Sequence, residues 1–130
     1  MRKPKINFIV TKEDKGYSAN TSVNRSFIAT QGESFEDLKI NILEAINLAF
    51  KDKDILYSID EIKFTLDLQS FFEFYRVINA KALSERIGIN QSLLAQYIRG
   101  IKKPSPTQTK RILSGVQQIG KELSEIRFLI

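Results

Sequence analysis

At 130 residues, with 42% hydrophobic and 27% charged side chains, the chain has the composition of a folded globular protein of one domain or two small ones. It contains no cysteine and no histidine, which excludes disulfides, thiolate chemistry, Ser-His-Asp and Cys-His arrangements and the usual zinc sites, and with them most enzyme classes. The net charge of +5 is unevenly placed: residues 1–66 carry ten bases and ten acids, residues 67–130 ten bases and five acids, so the whole positive excess lies in the C-terminal half.

No apolar run approaches the roughly 20 residues of a membrane span, and the opening MRKPKINFIV is too short in apolar residues for a signal peptide, so a cytoplasmic protein is expected. From Lys5 to Thr11, Ile6, Phe8 and Val10 alternate with Asn7 and Ile9, which predicts a strand; Glu13-Asp14-Lys15-Gly16 is a hairpin turn. A second strand, Gly16 to Ser22, sets Tyr17, Ala19 and Thr21 on one face, and a third around Phe27 to Thr30 follows a polar bend at Val23-Asn24-Arg25. Ser34 caps a helix with Asp37 at the capping-box position, and Phe35, Leu38, Ile42, Ala45 or Ile46, and Ala49 form the stripe that covers the sheet. The helix ends at Lys51-Asp52-Lys53-Asp54, and Ile62, Phe64 and Leu66 alternate with Lys63 and Thr65 in a fourth strand. Residues 1–66 therefore read as one β-β-β-α-β domain. Its acids fall in a turn, at a helix start and in a charged loop rather than paired at strand centres, so no catalytic or metal-binding set is expected. Gly16 and Gly32 are turn residues, no Gly-rich phosphate loop is present, and no cofactor is implied.

Residues 67–130 read as an all-α second domain, which makes the chain α+β. Leu68, Phe71, Phe72, Tyr75 and Ile78 have helical spacing and are expected to form its aromatic base, with an extension across the junction to the sheet left open. In NAKALSERIGINQSLLAQYIRG, Asn79 to Gly100, Leu83 and Ile87 share a face of a short helix that Gly88 terminates. Asn90 caps a second helix from Gln91 to Arg99, in which Leu94, Tyr97 and Ile98 face inward and Gln91, Ser92, Gln96 and Arg99 outward. Two such helices predict a helix-turn-helix, whose second helix enters the DNA major groove. The bland alternative is a helical hairpin with a solvated polar face. On the DNA reading, Gln91 and Gln96 bond base edges, Ser92 a base or a phosphate, the N–H groups near Asn90 a phosphate, and Arg99, Lys102 and Lys103 neutralise the backbone. Ser105 as N-cap and Pro106 at the first turn start a last helix with the stripe Ile112, Val116, Ile119, Leu123 and Ile126. Gly115 and Gly120 within it mark either close packing or a kink. The apolar tail Ile126, Phe128, Leu129 and Ile130 is either core or, the favoured reading, a contact between subunits; since one such domain reads few base pairs, a homodimer or higher oligomer on an inverted-repeat operator in double-stranded DNA is expected.

The apolar-small pair Leu83-Ser84, Gly88, Gln91-Ser92 and Gly100 followed by basic residues and Pro104 resemble the phage-repressor (XRE) type of helix-turn-helix, in which Ala is usual where this chain has Ser84. In the first domain, Gly16-Tyr17, the run Thr30-Gln31-Gly32-Glu33-Ser34-Phe35-Glu36 and Ile42 with Ala45-Ile46 resemble HicB-type antitoxins, over about the first fifty residues and in domain order thereafter. Members commonly carry a Pro-Gly-Cys-like stretch where this chain has Thr21 to Ser26. The resemblance implies a partial ribonuclease-H-like first domain that sterically blocks a small, basic, HicA-like mRNA-cleaving toxin, itself dependent on a histidine, while the second domain represses the operon. Two alternatives stand beside it: a stand-alone repressor whose α/β domain dimerises or senses a ligand, and an RNA-binding regulator using the sheet face, for which paired exposed aromatics are wanting.

Overall fold

The computed structural model describes residues 3–130. The chain is α+β and divides into two compact units, Met1–Phe74 and Tyr75–Ile130. Among the described residues there are four strands in one mixed sheet and five α-helices.

The first unit begins with β1 (Ile6–Lys12) and β2 (Tyr17–Val23), antiparallel in the register Ile9 to Asn20, and β3 (Ser26–Gly32), antiparallel to β2. The β2–β3 hairpin closes on two residues, Asn24 and Arg25, both at positive φ (48° and 68°) inside the Val23–Ser26 pair. That backbone matches the twist of the flanking strands. The helix α1 (Phe35–Ala49) starts where Ser34 accepts from the Asp37 N–H, as expected, and crosses to β4 (Ile62–Leu66), which lies parallel to β1, giving the order β3-β2-β1-β4. Ile6, Phe8, Val10, Tyr17, Ala19, Ile28 and Ile62 bury one face of the sheet under Leu38, Ile42 and Ile46 of α1, each full burial contributing about 1.5–3 kcal/mol. Phe50 closes this stripe, whereas Ala49 is exposed. The segment after α1 is held by Asn47, which bonds both the N–H and the carbonyl of Tyr57 (2.7 and 3.1 Å). The other sheet face is open and mostly uncharged: Asn7, Ile9, Thr11, Ser18, Asn20, Ser22, Phe27, Ala29, Gln31 and Thr65 share it with Lys63, and Glu13 reaches its edge by accepting from the Ser18 hydroxyl at 2.7 Å.

The division falls between Phe74 and Tyr75, later than the 66/67 boundary that the sequence suggested. The reason lies in α2 (Leu68–Phe74). Asp67 caps it by accepting from the Ser70 N–H (2.7 Å) and, with its other oxygen, from the Lys12 N–H (3.0 Å). Tyr17 donates to the Glu73 carboxylate, Lys12 pairs with it at 3.1 Å, and Phe74 stacks on Phe35 at 4.1 Å. These partners tie the helix to the sheet unit, whereas the sequence placed it at the base of the second domain. It also stops at Phe74, and Tyr75 and Val77 are exposed rather than continuing the stripe. With this division the first unit carries ten bases and twelve acids, a net −2, and the second ten bases and three acids, a net +7.

The second unit holds α3 (Ala80–Ile87), α4 (Gln91–Ile98) and α5 (Pro106–Ser124) around Leu83, Ile89, Leu94, Tyr97 and Ile112. Ser105 and Pro106 start α5 as expected. Its expected stripe is covered only at the front: Ile112 is buried, Val116 and Ile119 are half-buried, and Leu123 and Ile126 are exposed. Gly115 is a packing position, since a Cβ there would lie 2.3 Å from Cγ2 of Ile87; beside Gly120 the space is open. No helix among the described residues is long and apolar enough to cross a membrane.

Candidate nucleic-acid interface

The two short helices α3 and α4 are joined by a turn whose geometry follows from local chemistry. Asn79 caps α3 by accepting from the Ala82 N–H at 2.9 Å. Gly88, at φ 74°, reverses the chain, a conformation that L side chains enter at a cost of about 1–2 kcal/mol. Ile89, between Gly88 and Asn90, drops into the core at 6% exposure and its N–H bonds the Ser84 carbonyl at 3.0 Å. Ser84, where Ala is usual in the phage-repressor type, is buried with its hydroxyl donating to the Lys81 carbonyl at 2.6 Å, so the extra oxygen carries no desolvation penalty. Asn90 then caps α4, accepting from the Leu93 N–H at 3.1 Å.

Leu94 and Tyr97 anchor α4, and Leu93, Ala95 and Ile98 are half-buried beside them. Gln91, Ser92, Gln96 and Arg99 are exposed, as read from the sequence, and fall within an arc of about 140° at the helical 100° per residue. Gly100 turns the chain back, with the N–H groups of Ile101 and Lys102 on the Gln96 carbonyl (3.0 and 3.3 Å). This return brings exposed Lys102 and Lys103 to the same end of α4 as Arg99. Among the described residues no acid lies within ion-pairing distance of these three cations. Asn90 differs from the other site residues in that its side-chain oxygen is engaged in the cap, leaving the amide of that side chain and the first backbone N–H groups to meet a ligand.

Three supports of this face escaped sequence reasoning. Arg111 of α5 donates to the Gly88 carbonyl at 2.9 Å, fastening the turn from behind. Arg86 and Gln118 both donate to Glu122, which locks α3 to α5. These two donors, Arg86 foremost, hold the Glu122 carboxyl below the ordinary carboxylate range. Ile87 sits over Gly115 as a knob over a gap. The only sequence signal for them was Gly115 itself, because the others join residues far apart in the chain.

Chemically the α4 face offers amide, hydroxyl and guanidinium groups able to donate to and accept from base edges, bordered by exposed cations suited to phosphates. The open sheet face of the first unit offers less to a nucleic acid. Among the described residues it presents one exposed aromatic, Phe27, opposite Ser22, so stacked bases lack a paired platform. No group of His, Cys, Asp or Glu among the described residues is arranged to hold a metal. Comparison with known protein families, curated proteins and solved structures finds no match to the chain.

Proposed function

We propose that the protein is a HicB-type antitoxin: its second unit is a phage-repressor-type helix-turn-helix that binds an inverted-repeat operator, and its first, HicB-like unit binds and sterically blocks a small, basic, HicA-like ribonuclease toxin. The observation that supports the DNA half most directly is the α4 face, where Gln91, Ser92 and Gln96 stand exposed over a buried Leu94–Tyr97 anchor within a unit of net charge +7. The antitoxin half rests on the residues of the first fifty positions that resemble that family and on the order of the units, an acidic α/β unit followed by a basic helical one. The protein is expected to act as a homodimer, since one α4 reads few base pairs.

The test has two arms. In gel-shift titrations with the DNA upstream of its own gene and with random duplex, the chain prefers the former by a factor of about 10³ or more at 0.15 M salt; equal affinities refute the repressor. On this reading, the open reading frame adjoining its gene is expected to encode a small basic protein with a histidine, which should arrest growth when expressed alone and be tolerated when co-expressed with this chain. No protection on co-expression refutes the antitoxin.

A further inference from the structure

The outward side of α1 is not a solvated helix face of the ordinary kind. Glu36, Ile40, Glu44 and Leu48 follow one another at four-residue intervals, all exposed, and form a single row about 18 Å long in which carboxylates alternate with large aliphatics. Ile40 is 63% and Leu48 72% exposed. Isolated exposed aliphatics are unremarked on any surface. Here they repeat in register with the acids, and the row borders a groove of about 500 Å³ between the Gln31–Glu33 segment and Asp37, Ile40 and Asn41 of α1. The groove wall is set by Asn41, whose side-chain amide donates to the Gln31 carbonyl at 2.7 Å. Glu33 and Asp37 add two more carboxylates at its rim. The cation on α1, Lys39, is turned along the helix to Glu36 (3.5 Å) and over the Phe35 ring (4.7 Å) and leaves most of this acidity uncompensated; Lys15 stands at the far side of the groove.

We infer that the outer face of α1, with the adjoining groove, is the docking surface for a cationic protein partner, whose lysines and arginines meet Glu36, Asp37 and Glu44 while its aliphatic side chains cover Ile40 and Leu48. The occupant is the basic protein of the functional reading above, on which this assignment rests. Charge complementarity selects a cationic protein: DNA is repelled by the four carboxylates Glu33, Glu36, Asp37 and Glu44 of the face and rim, and a second copy, whose helical unit is also basic, is told apart by the oligomer measurement below.

The test uses the full chain and the product of the adjoining reading frame in calorimetric titrations at 0.1 and 0.5 M salt. The variants Ile40→Lys and Glu44→Lys lie in mid-helix at exposed positions, and Lys63→Glu on the open sheet face is the control. Wild type binds, more weakly at the higher salt; each α1 variant weakens binding about tenfold or more, and the control is unchanged. Glu44→Gln, which adds no bulk, gives a smaller loss and serves if Ile40→Lys does not fold. Wild-type affinity in the α1 variants, or a loss confined to Lys63→Glu, overturns the surface and leaves the antitoxin reading intact. A fall in oligomer mass by light scattering with unchanged partner affinity also overturns it, in favour of a second copy. Failure of wild type to bind that protein overturns the antitoxin reading and this surface with it.

Discussion

Gly115 and Gly120 allow the packing behind the α4 face to be tested by the same substitution at two places in one helix. Gly120→Ala adds a methyl group into open space, so only the backbone term acts and the protein gains about 0.8–1.0 kcal/mol. Gly115→Ala gains the same term but sets a Cβ 2.3 Å from Cγ2 of Ile87, well inside contact distance. The obstructing atom is not the free end of a flexible chain: Ile is branched at Cβ and stiff about χ1 in a helix, so relief requires α3 and α5 to separate. Overpacking of this kind costs about 1–3 kcal/mol, and the net effect of Gly115→Ala is a destabilisation of up to about 2 kcal/mol. Urea unfolding followed by circular dichroism should show the two midpoints moving in opposite directions. Because Ile87 directly precedes Gly88, Gly115→Ala also disturbs the turn that sets α4, and specific DNA affinity falls with stability. The double variant with Ile87→Ala, which removes the obstructing methyl, costs less than the sum of its parts. Two midpoints rising together would refute the close approach of α3 and α5.

Gln91→Ala is expected to cost about 1–3 kcal/mol on the specific operator and little on random duplex; equal losses on both would show that Gln91 does not read bases. Lys102→Ala and Lys103→Ala should each flatten the plot of log affinity against log salt by about 0.9, and an unchanged slope would remove them from the phosphate contacts. Arg25→Gly should stabilise the first unit by about 1 kcal/mol, since Arg25 occupies the left-handed position of a two-residue hairpin where Gly is unstrained, and calorimetric melting would expose the opposite sign. Glu122 has a lowered carboxyl pKa, so its contribution is present above the ordinary glutamate range and is lost as pH falls through its folded value. Arg86→Gln should diminish that acid-side component of the unfolding curve, leaving the part due to Gln118; the component is small because the pair is exposed.

Local chemistry made much of this protein legible in sequence. The alternation of Ile6, Phe8 and Val10, the caps at Ser34, Asn90 and Ser105, and Gly88 between two short apolar-striped helices depend on residues within a few positions of one another, and each is found where the pattern puts it. The exposed residues of α4 were legible for the same reason, since an N-cap and two buried anchors set the phase of an eight-residue helix. The tertiary structure alone decided where α2 belongs. Its aromatic spacing states only that one face is to be covered, and the cover is supplied by Tyr17, Lys12 and Phe35, tens of positions away. The same holds for the end of α5, where a stripe that reads as continuous is buried at Ile112 and exposed from Leu123 onward. Periodicity sets which side chains share a face; what lies opposite that face comes from contacts between distant residues, and these also fix the meaning of Gly115 and the fastening of the Gly88 turn by Arg111.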